Sequence, residues 1–260
     1  MMHEKNNVKI LGVSVDARSK NDIYKDIEEI LNARRGATIF TPNGEIIYKL
    51  QKDDALKKCF ENASLSLPDG ISVQIAARLL GKYIPERITG IDTAEFILKL
   101  AADKGLSVYL LGGEKGVADA AATHLKEKLP SLVISGVHHG YFTPNDEEEK
   151  ALLREIRTKA PDILFVCIGS PAQEKWIIKN TPSLPSLRLS MGLGGSLDVW
   201  SGNKKRAPLA LRSIGLEWLY RIFCEPSRIT RLPYIAGYFL TVAKQALTRQ
   251  PHGHRAKIRG

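Results

Sequence analysis

Four short turns in the sequence combine polar side chains with glycine or proline, and one of them contains a carboxylate suited to proton transfer. The turns are Thr41-Pro42-Asn43-Gly44-Glu45, Pro68-Asp69-Gly70, Gly112-Gly113-Glu114-Lys115-Gly116 and Gly169-Ser170-Pro171-Ala172-Gln173-Glu174-Lys175-Trp176. Each follows a predicted strand and opens a predicted helix, where backbone amides can bind phosphate or sugar hydroxyls. Asp69 can take a proton from an attacking hydroxyl at such a strand end. The turns together predict a binding site beyond the carboxyl ends of the strands.

Each of these turns also has a purely structural interpretation. Asp69 is typical of an ordinary turn or of a helix N-cap. Thr41 and Asn43 are common turn formers. The segment Ser170-Pro171-Ala172-Gln173 matches a capping box with proline at the first helical position, which would give Gln173 a capping role. The turns alone leave both interpretations open.

Phosphate-binding motifs of several enzyme classes are missing from the sequence. The run from Gly112 to Gly116 is neither G-x-G-x-x-G nor a Walker A loop, which disfavours a dehydrogenase or an ATPase. The chain also has no Asp-x-Asp, with which many sugar-nucleotide transferases hold a metal on the diphosphate. Arginine is the usual substitute, because its guanidinium binds phosphate through two hydrogen bonds.

Histidine and cysteine form no recognisable metal site in the sequence. His138 and His139 are neighbours on a predicted strand, so their side chains are expected to point to opposite faces. We therefore exclude them from the candidate site. Cys59, Cys167 and Cys224 are far apart and form no C-x-x-C pair, so neither a disulfide framework nor a zinc site is predicted. Buried or inert thiols are the interpretation that remains.

The elements that must position these turns alternate between short β-branched runs and longer helical patterns. This alternation predicts an α/β fold, with a Rossmann-like, mostly parallel sheet, helices on both faces and a C-terminal basic helical appendage. The predicted strands are 8–15, 37–40, 65–67, 107–111, 132–137, 163–168 and 187–191.

Helix starts are signalled at three places. Segment 20–34 carries an apolar stripe at helical spacing. Asp92 followed by Glu95 predicts a capping pair. Thr143-Pro144-Asn145-Asp146 predicts a helix with proline at its first position.

Positive charge is concentrated near the C-terminus of the 260-residue chain. Residues 203–260 contain twelve of the 38 lysines and arginines but only two of the 28 acidic residues, so residues 1–202 are balanced, with 26 of each. Residues 203–260 therefore account for the net charge of +10, and this charge predicts an anionic partner: a phosphorylated substrate, an anionic membrane surface or nucleic acid. We divide the chain into an α/β catalytic domain (1–202), a basic amphipathic helical appendage (203–249) and a tail predicted to be disordered (250–260).

The appendage mixes aromatic and aliphatic residues with arginine and lysine on two predicted helical stretches, 207–225 and 229–248. Such helices can lie on a bilayer. Helices that cap the sheet or form a subunit interface have the same pattern, so both interpretations stay open. The first residues lack an apolar signal segment and no later stretch approaches the roughly 18 apolar residues of a spanning helix. We expect a cytoplasmic protein.

Eight segments occur together in the order of a known family. They are Thr41-Pro42-Asn43, Pro68-Asp69-Gly70, Arg87-Ile88-Thr89-Gly90-Ile91-Asp92, Gly169-Ser170-Pro171-Ala172-Gln173-Glu174, Gly192-Leu193-Gly194-Gly195, Arg206-Ala207-Pro208, Leu216-Glu217-Trp218-Leu219-Tyr220-Arg221 and Glu225-Pro226-Ser227-Arg228. In this combination the chain resembles the WecG/TagA/CpsF glycosyltransferases from about Val8 to Arg231, and is nearest to the TagA branch. The family often has lysine or arginine where Ala172 stands, so that charge is absent here.

The resemblance implies an inverting, metal-independent transferase without a cofactor, which moves a sugar from a UDP donor to an undecaprenyl-diphosphate-linked sugar. In the TagA branch, N-acetylmannosamine is added to lipid-linked N-acetylglucosamine during wall teichoic acid assembly. The donor sugar is not fixed by this sequence, because N-acetylmannosamine, its uronic acid and glucose are all used within the wider family.

Matching the family motifs residue by residue assigns expected roles to seven side chains. Asp69 would be the catalytic base. The other six would bind substrate: Thr41, Asn43 and Gln173 in the donor and acceptor pocket, and Arg221, Arg228 and Arg231 on the diphosphate.

Two function classes follow from these observations. A lipid-linked glycosyltransferase would be a peripheral protein at the inner face of the cell membrane. Its partners would be the UDP-sugar, the lipid-linked acceptor and the anionic membrane surface, with no nucleic acid, and the resemblance is compatible with a homo-oligomer. The alternative is a nucleic-acid or membrane-surface binding protein whose tail is the active part, which predicts salt-dependent binding without turnover.

Overall fold

The computed structural model describes residues 6–34 and 36–248. Its strands are β1 (Asn7–Ile10), β2 (Val13–Asp16), β3 (Ala37–Phe40), β4 (Leu65–Ser66), β5 (Ser107–Gly112), β6 (Val133–His138), β7 (Ile163–Cys167) and β8 (Leu189–Gly192). Its α-helices are α1 (Lys20–Ala33), α2 (Gly44–Lys49), α3 (Asp54–Glu61), α4 (Ile71–Leu79), α5 (Gly90–Lys104), α6 (Val117–Lys128), α7 (Glu147–Lys159), α8 (Ala172–Asn180), α9 (Ser196–Trp200), α10 (Leu209–Ser213), α11 (Glu217–Cys224) and α12 (Leu232–Thr248).

Six strands form one parallel sheet in the order β4-β3-β8-β7-β5-β6, which confirms the predicted α/β fold. The chain first places β4 at one edge beside β3. It then crosses to β5 and β6 at the other edge and fills the middle with β7 and β8. The strand order therefore reverses beside β3. Such a reversal separates the helices on either side and opens a crevice at the carboxyl ends of the strands.

Apolar layers cover both faces of the sheet. Along β7, Ile163 and Phe165 belong to one layer, whereas Leu164 and Val166 belong to the other. Successive side chains of a strand point to opposite faces, so a strand buried on both sides needs an uninterrupted apolar run. Helices α1, α5, α6 and α9 supply the first layer, and α2, α3, α4, α7, α8 and α12 supply the second.

The predicted strand 8–15 is wrong, because the chain reverses within it. β1 and β2 form an antiparallel hairpin outside the main sheet, with Ile10 paired to Val13. Leu11 and Gly12 make the turn with φ values of 49° and 79°. Positive φ at both central residues is what a two-residue turn between twisted strands requires. Leucine is uncommon in this position, and the apolar run therefore concealed the turn.

Two of the predicted helix starts are also wrong, although each helix exists. α5 begins at Gly90, and its N-cap is Thr89, whose hydroxyl accepts a hydrogen bond from the Asp92 amide. Asp92 therefore lies in the first turn. α7 begins at Glu147 after the N-cap Asp146, so Pro144 precedes the helix rather than opening it. By contrast, α1 confirms the predicted helix over 20–34.

The C-terminal segment from residue 203 to residue 248, which we call the tail, is helical and folds back on the preceding part of the chain, which we call the body. Neither α10 nor α11 buries a residue, whereas α12 buries Tyr238 and Val242. Two close contacts seat α12 on α2: a Cβ on Gly237 would lie 2.5 Å from Tyr48 Cζ, and a Cβ on Gly44 would lie 2.9 Å from Tyr238 Cδ1. Two glycines thus permit two tyrosines to interlock the tail with the helix that follows β3.

No helix among residues 6–34 and 36–248 is both long enough and apolar enough to span a membrane. The segment 250–260, which the sequence predicts to be disordered, lies outside the described residues, as does Arg249.

Candidate active site

A cleft of about 660 Å³ opens at the carboxyl ends of β3, β4, β7 and β8, where the strand order reverses. The body contributes the turns that follow these strands, and the C-terminal segment closes the opposite side. Three of the four polar turns identified in the sequence meet here. The fourth, Gly112 to Gly116, does not line the cleft; instead, Gly113 O accepts a hydrogen bond of 2.8 Å from Gly140 N beyond β6.

The structure brings all seven predicted site residues to this one cleft. They come from three strand ends and from the C-terminal segment, across more than half of the sequence: Thr41, Asn43, Asp69, Gln173, Arg221, Arg228 and Arg231. Their catalytic and binding roles stay predictions, because proximity alone does not assign chemistry.

Asp69 occupies the turn between β4 and α4. Its amide donates to Pro42 O at 3.3 Å, which ties the β4 turn to the β3 turn. Gly70, with φ of 93°, stands at the N-cap of α4, so the interpretation of Asp69 as an N-cap residue is wrong. Positive φ at Gly70 lets the chain enter α4 while the Asp69 side chain stays directed into the cleft.

The surroundings of Asp69 favour its protonated form more than water does. Burial, followed by the nearby Glu217 carboxylate, raises the pKa of Asp69 to about 6. Arg221, Arg87 and the Gly90 amide act in the opposite direction. A carboxyl group whose pKa lies slightly below neutrality is ionised at pH 7 and still accepts a proton readily, which is the balance that a general base needs.

Thr41 and Asn43 lie on either side of Pro42 after β3. The Asn43 side chain accepts a hydrogen bond of 3.0 Å from Ile46 N and caps α2, so Asn43 has a structural role as a helix cap rather than as a turn former. Thr41 packs against Gly90 at the start of α5, where a Cβ would approach Thr41 Cγ2 to 3.2 Å. The two residues hold the β3 turn against α2 and α5 and border the cleft at the same time.

The side chain of Gln173, at the start of α8, is held by hydrogen bonds to both the oxygen and the nitrogen of its carboxamide group. Its side-chain oxygen accepts a 2.8 Å hydrogen bond from Gly194 N, and its side-chain nitrogen donates to Glu174 Oε1 at 2.9 Å. The predicted capping box is wrong, because α8 has Pro171 at its N-cap and no side-chain cap. The Gly169-Ser170-Pro171 turn and the glycine-rich turn after β8 thus interlock through the carboxamide of Gln173.

The three arginines from the C-terminal segment each lie next to a carboxylate. Arg221 Nη2 donates to Glu217 Oε1 at 2.7 Å, and Arg228 Nε lies 3.1 Å from Glu225 Oε2. Arg231 Nη1 lies 3.4 Å from Glu45 Oε2, an ion pair that joins the tail to α2. An anion entering the cleft must compete with these carboxylates for the guanidinium groups.

Among the other charged residues that line the cleft, Arg87 and Glu217 influence the pKa of Asp69, and neither was assigned a role from the sequence. Arg87 reaches from the loop before α5 and donates to Arg212 O at 2.6 Å, which secures the start of the tail. Glu217 opens α11 and lies close enough to Asp69 to affect its pKa. Both belong to segments of the family motif, so their positions in those segments were the available signal.

Apolar residues also line the cleft, and they come mainly from the tail and from α4: Ile71, Ile75, Ile214, Trp218, Ile222, Ile235 and Phe239. The cleft therefore combines charged and polar groups with apolar surface, a combination suited to a ligand that has a charged head and a hydrocarbon chain.

The prediction that His138 and His139 point apart is wrong. β6 ends at His138, and the two rings lie 4.4 Å apart between centroids. With Glu148 they form the one group in the described part of the chain whose potential metal-ligand atoms lie within 4.8 Å of one another. Hydrogen bonds explain the group: His139 Nδ1 accepts from Tyr141 N at 3.3 Å, which leaves the proton on Nε2, 3.2 Å from Glu148 Oε1.

The cysteines differ in their exposure. Cys167 is buried, and desolvation raises the pKa of its thiol to about 12, which makes it unreactive. Cys59 is half-buried and Cys224 is exposed, so the expectation of burial holds for Cys167 alone.

Comparisons with known proteins agree with the order of the motifs. The family described as "Glycosyl transferase WecG/TagA/CpsF family" matches residues 8–252. The chain is similar to the "N-acetylglucosaminyldiphosphoundecaprenol N-acetyl-beta-D-mannosaminyltransferase" of Bacillus subtilis (strain 168), with 34% identity over 215 residues, 83% of this chain and 82% of the relative. Proteins of the same name show 34% identity in Bacillus spizizenii, over 85% of each chain, and 33% in Staphylococcus aureus (strain MRSA252), over 91% of this chain and 92% of the relative.

Proposed function

The chain belongs to the WecG/TagA/CpsF family of glycosyltransferases, and we propose that it transfers N-acetylmannosamine from UDP-N-acetylmannosamine to undecaprenyl-diphosphate-linked N-acetylglucosamine. The observation that carries the proposal is the cleft itself, which brings together a carboxylate with a raised pKa, three arginines of the tail and apolar side chains. The name shared by the relatives describes this sugar and this lipid-linked acceptor, and their identity of about a third over most of both chains supports the same specificity. The product would enter the linkage unit of wall teichoic acid.

Asp69 acts as the general base in this proposal. The acceptor hydroxyl gives its proton to the Asp69 carboxylate while its oxygen forms a bond to the anomeric carbon of the donor. The bond from that carbon to the UDP oxygen breaks on the opposite side, so the configuration inverts. A pKa of about 6 keeps Asp69 ionised at neutral pH and able to receive the proton.

The arginines stabilise the departing UDP. Negative charge accumulates on the diphosphate as the bond breaks, and Arg221 and Arg228 can each form charge-assisted hydrogen bonds with it. Their present ion pairs with Glu217 and Glu225 hold them near the cleft until an anion arrives. This counter-charge takes the part that a metal plays in other transferases, and the proposed reaction requires neither a metal nor a cofactor.

The C-terminal segment 203–249 also provides the proposed contact with the membrane. Leu209, Phe223 and Leu240 expose 74%, 77% and 73% of their surfaces, and the same segment carries nine lysines and arginines against two acidic residues. Exposed apolar side chains beside basic ones suit the headgroup region of an anionic bilayer. The enzyme would bind at the inner face of the cell membrane, where the lipid-linked acceptor can enter the apolar side of the cleft. Self-association through this segment is the competing use of the same surface.

The experiment that tests the proposal is transfer to a short-chain lipid diphosphate-N-acetylglucosamine, with the disaccharide followed by mass. The donors are UDP-N-acetylmannosamine, its uronic acid form and UDP-glucose, and Asp69→Asn is the matched control. Product from the first donor alone supports the proposal. Product from another donor would show that the enzyme transfers a sugar other than N-acetylmannosamine. No product from any donor, in detergent or liposomes, together with salt-dependent binding to nucleic acid or bare lipid, would favour a binding protein instead.

A further inference from the structure

A buried carboxyl group lies directly behind the cleft, at Glu174 of α8. The residue is 1% exposed, and desolvation raises the pKa of its side chain. Its Oε1 accepts the hydrogen bond from Gln173. Its Oε2 has no partner of ordinary hydrogen-bond geometry among residues 6–34 and 36–248, although the Ser170 hydroxyl lies close enough to favour the ionised carboxylate. Burying a carboxyl group with an incompletely paired oxygen is unfavourable, and an apolar side chain would fill the same space without that penalty. The contact with Gln173 is the hydrogen bond that an apolar residue could not make.

The contact that Glu174 makes controls a group at the cleft. The Gln173 carboxamide has one oxygen and two N–H donors. Gly194 N–H binds the oxygen and Glu174 binds one of the two N–H groups, which leaves one N–H for a ligand. If the carboxamide turned over, its NH2 group would face the N–H of Gly194. The opposing partners define a single orientation of the amide.

The space around the carboxamide is closed as well. Gln173 is 3% exposed, and a Cβ on Gly192 would lie 2.8 Å from its side-chain nitrogen. The backbone of β8 thus presses on one side of the amide, and Glu174 holds the other. Gln173 also borders the cleft, so its remaining N–H is the one donor of this side chain that a ligand there could use.

We propose that Glu174 is a positioning residue, which holds the Gln173 carboxamide so that its free N–H meets an oxygen of the bound sugar nucleotide. The inference rests on the proposed function and deepens it, since it assigns how one side of the donor pocket is set. The ligand atom must be a hydrogen-bond acceptor, such as a carbonyl, hydroxyl or phosphate oxygen. Glu174 itself touches no substrate and acts only through Gln173.

A double-mutant cycle tests this coupling. Glu174→Met keeps the volume but removes the acceptor, and it is expected to lower kcat/KM for the UDP-sugar about tenfold, since a lost buried hydrogen bond has an effect of this order. In a Gln173→Ala background the same substitution is expected to have almost no further effect. An equal loss in both backgrounds would overturn the proposal, as would full activity of the single Glu174→Met variant.

Two conservative variants separate positioning from a general need for charge. Glu174→Gln retains an acceptor at the same distance and is expected to stay within about threefold of the wild type, whereas Glu174→Asp withdraws the acceptor and is expected to lose about tenfold. A role of the charge in folding predicts the reverse order. This comparison also keeps the proposal testable if Glu174→Met fails to fold.

Nuclear magnetic resonance of the Gln173 side-chain amide gives a readout that does not depend on turnover. The proton that faces Glu174 is expected to be shifted downfield by the hydrogen bond and to exchange slowly, and both effects should be lost in Glu174→Asp but persist in Glu174→Gln. An unchanged amide signal in Glu174→Asp would overturn the proposal. An intact signal in a wild-type protein without transferase activity would instead show that the proposed function had failed and the positioning contact had not.

Discussion

The two sides of the cleft are built differently. On the body side, Asp69, Asn43 and Gln173 follow buried strands, and each makes a hydrogen bond with a backbone group: Pro42 O, Ile46 N and Gly194 N, respectively. On the tail side, Arg221 and Arg228 extend from helical turns that bury no residue and are held by ion pairs. Backbone hydrogen bonds in a packed interior fix positions closely, whereas the partly exposed guanidinium groups of Arg221 and Arg228 can exchange one anionic partner for another.

This difference indicates a division of labour. A proton acceptor must stand within hydrogen-bond reach of the reacting hydroxyl, which requires the rigid side. Binding and release of a diphosphate require cations that can exchange one anionic partner for another. The seat of α12, where Tyr48 and Tyr238 pack on two glycines, attaches the adaptable side to the rigid one.

Removing the proton acceptor should have the largest effect. Asp69→Asn keeps the size of the side chain but abolishes its basicity, and turnover is expected to fall by roughly 10²- to 10⁴-fold. Steady-state transfer to the short-chain acceptor measures the loss. A fall of less than tenfold would show that another group, such as Glu217, takes the proton.

The pH dependence of the wild type sharpens the same point. Because the pKa of Asp69 is raised to about 6 in the ligand-free protein, kcat/KM should rise between pH 5 and pH 7 with a midpoint near that value. Because the pKa of Asp69 is higher in the folded protein than in the unfolded one, ionisation of Asp69 destabilises the fold above about pH 6. This effect is absent below the unfolded-state pKa near 3.9, where the group is protonated in both states. Asp69→Asn should therefore raise the melting temperature at pH 7.5 and leave it nearly unchanged at pH 3.5. A lower melting temperature at pH 7.5 would contradict this account.

Loss of one tail cation should have the next largest effect. Arg221→Ala and Arg228→Ala each remove a charge-assisted contact worth about 1.5–3 kcal/mol, so kcat/KM for the donor should fall by about 10- to 150-fold. Lys244→Ala is the matched control, since Lys244 is an exposed cation of α12 that does not line the cleft. Equal losses in all three variants would indicate a general effect of net charge.

The contact between α12 and α2, which joins the two sides of the cleft, can be disturbed without changing a charged residue. Gly237→Ala places a methyl group against Tyr48 and is expected to destabilise the docking of α12 by about 1–3 kcal/mol. Limited proteolysis should then cut the tail more readily, and activity should fall several-fold. Ala236→Ser, on the exposed face of the same helix, is the control and should behave like the wild type. If the rate of proteolysis is unchanged in Gly237→Ala, the docking of α12 does not depend on the close contact between Gly237 and Tyr48.

The smallest effect on chemistry is expected from the outermost apolar residues. Phe223→Ser with Leu240→Ser should weaken sedimentation with anionic vesicles and activity on bilayer-embedded acceptor. Activity on a soluble short-chain acceptor should stay within about twofold, because single exposed residues away from the reacting atoms contribute little. Unchanged vesicle binding would point to a subunit interface instead.

The strands and helices could be predicted from the sequence better than the contacts that form the site, for a physical reason. Strands such as β3 and β7 are short apolar runs between turn residues, and their period identifies them. The reversal at Leu11-Gly12 escaped because leucine rarely adopts positive φ. The contacts that set the site are nonlocal: Gln173 meets Gly194, and Arg231 meets Glu45, so the spacing along the chain carries no trace of them. The family motifs indicated these residues, but the geometry alone relates Arg87 and Glu217 to Asp69.

The most direct test of the division of labour is the affinity for UDP, measured by titration calorimetry at fixed salt. The account predicts that Asp69→Asn binds UDP at least as tightly as the wild type, because it removes a negative charge from the cleft. Arg221→Ala with Arg228→Ala should bind it at least tenfold more weakly. Retained UDP affinity in the arginine variant together with lost affinity in Asp69→Asn would contradict the account.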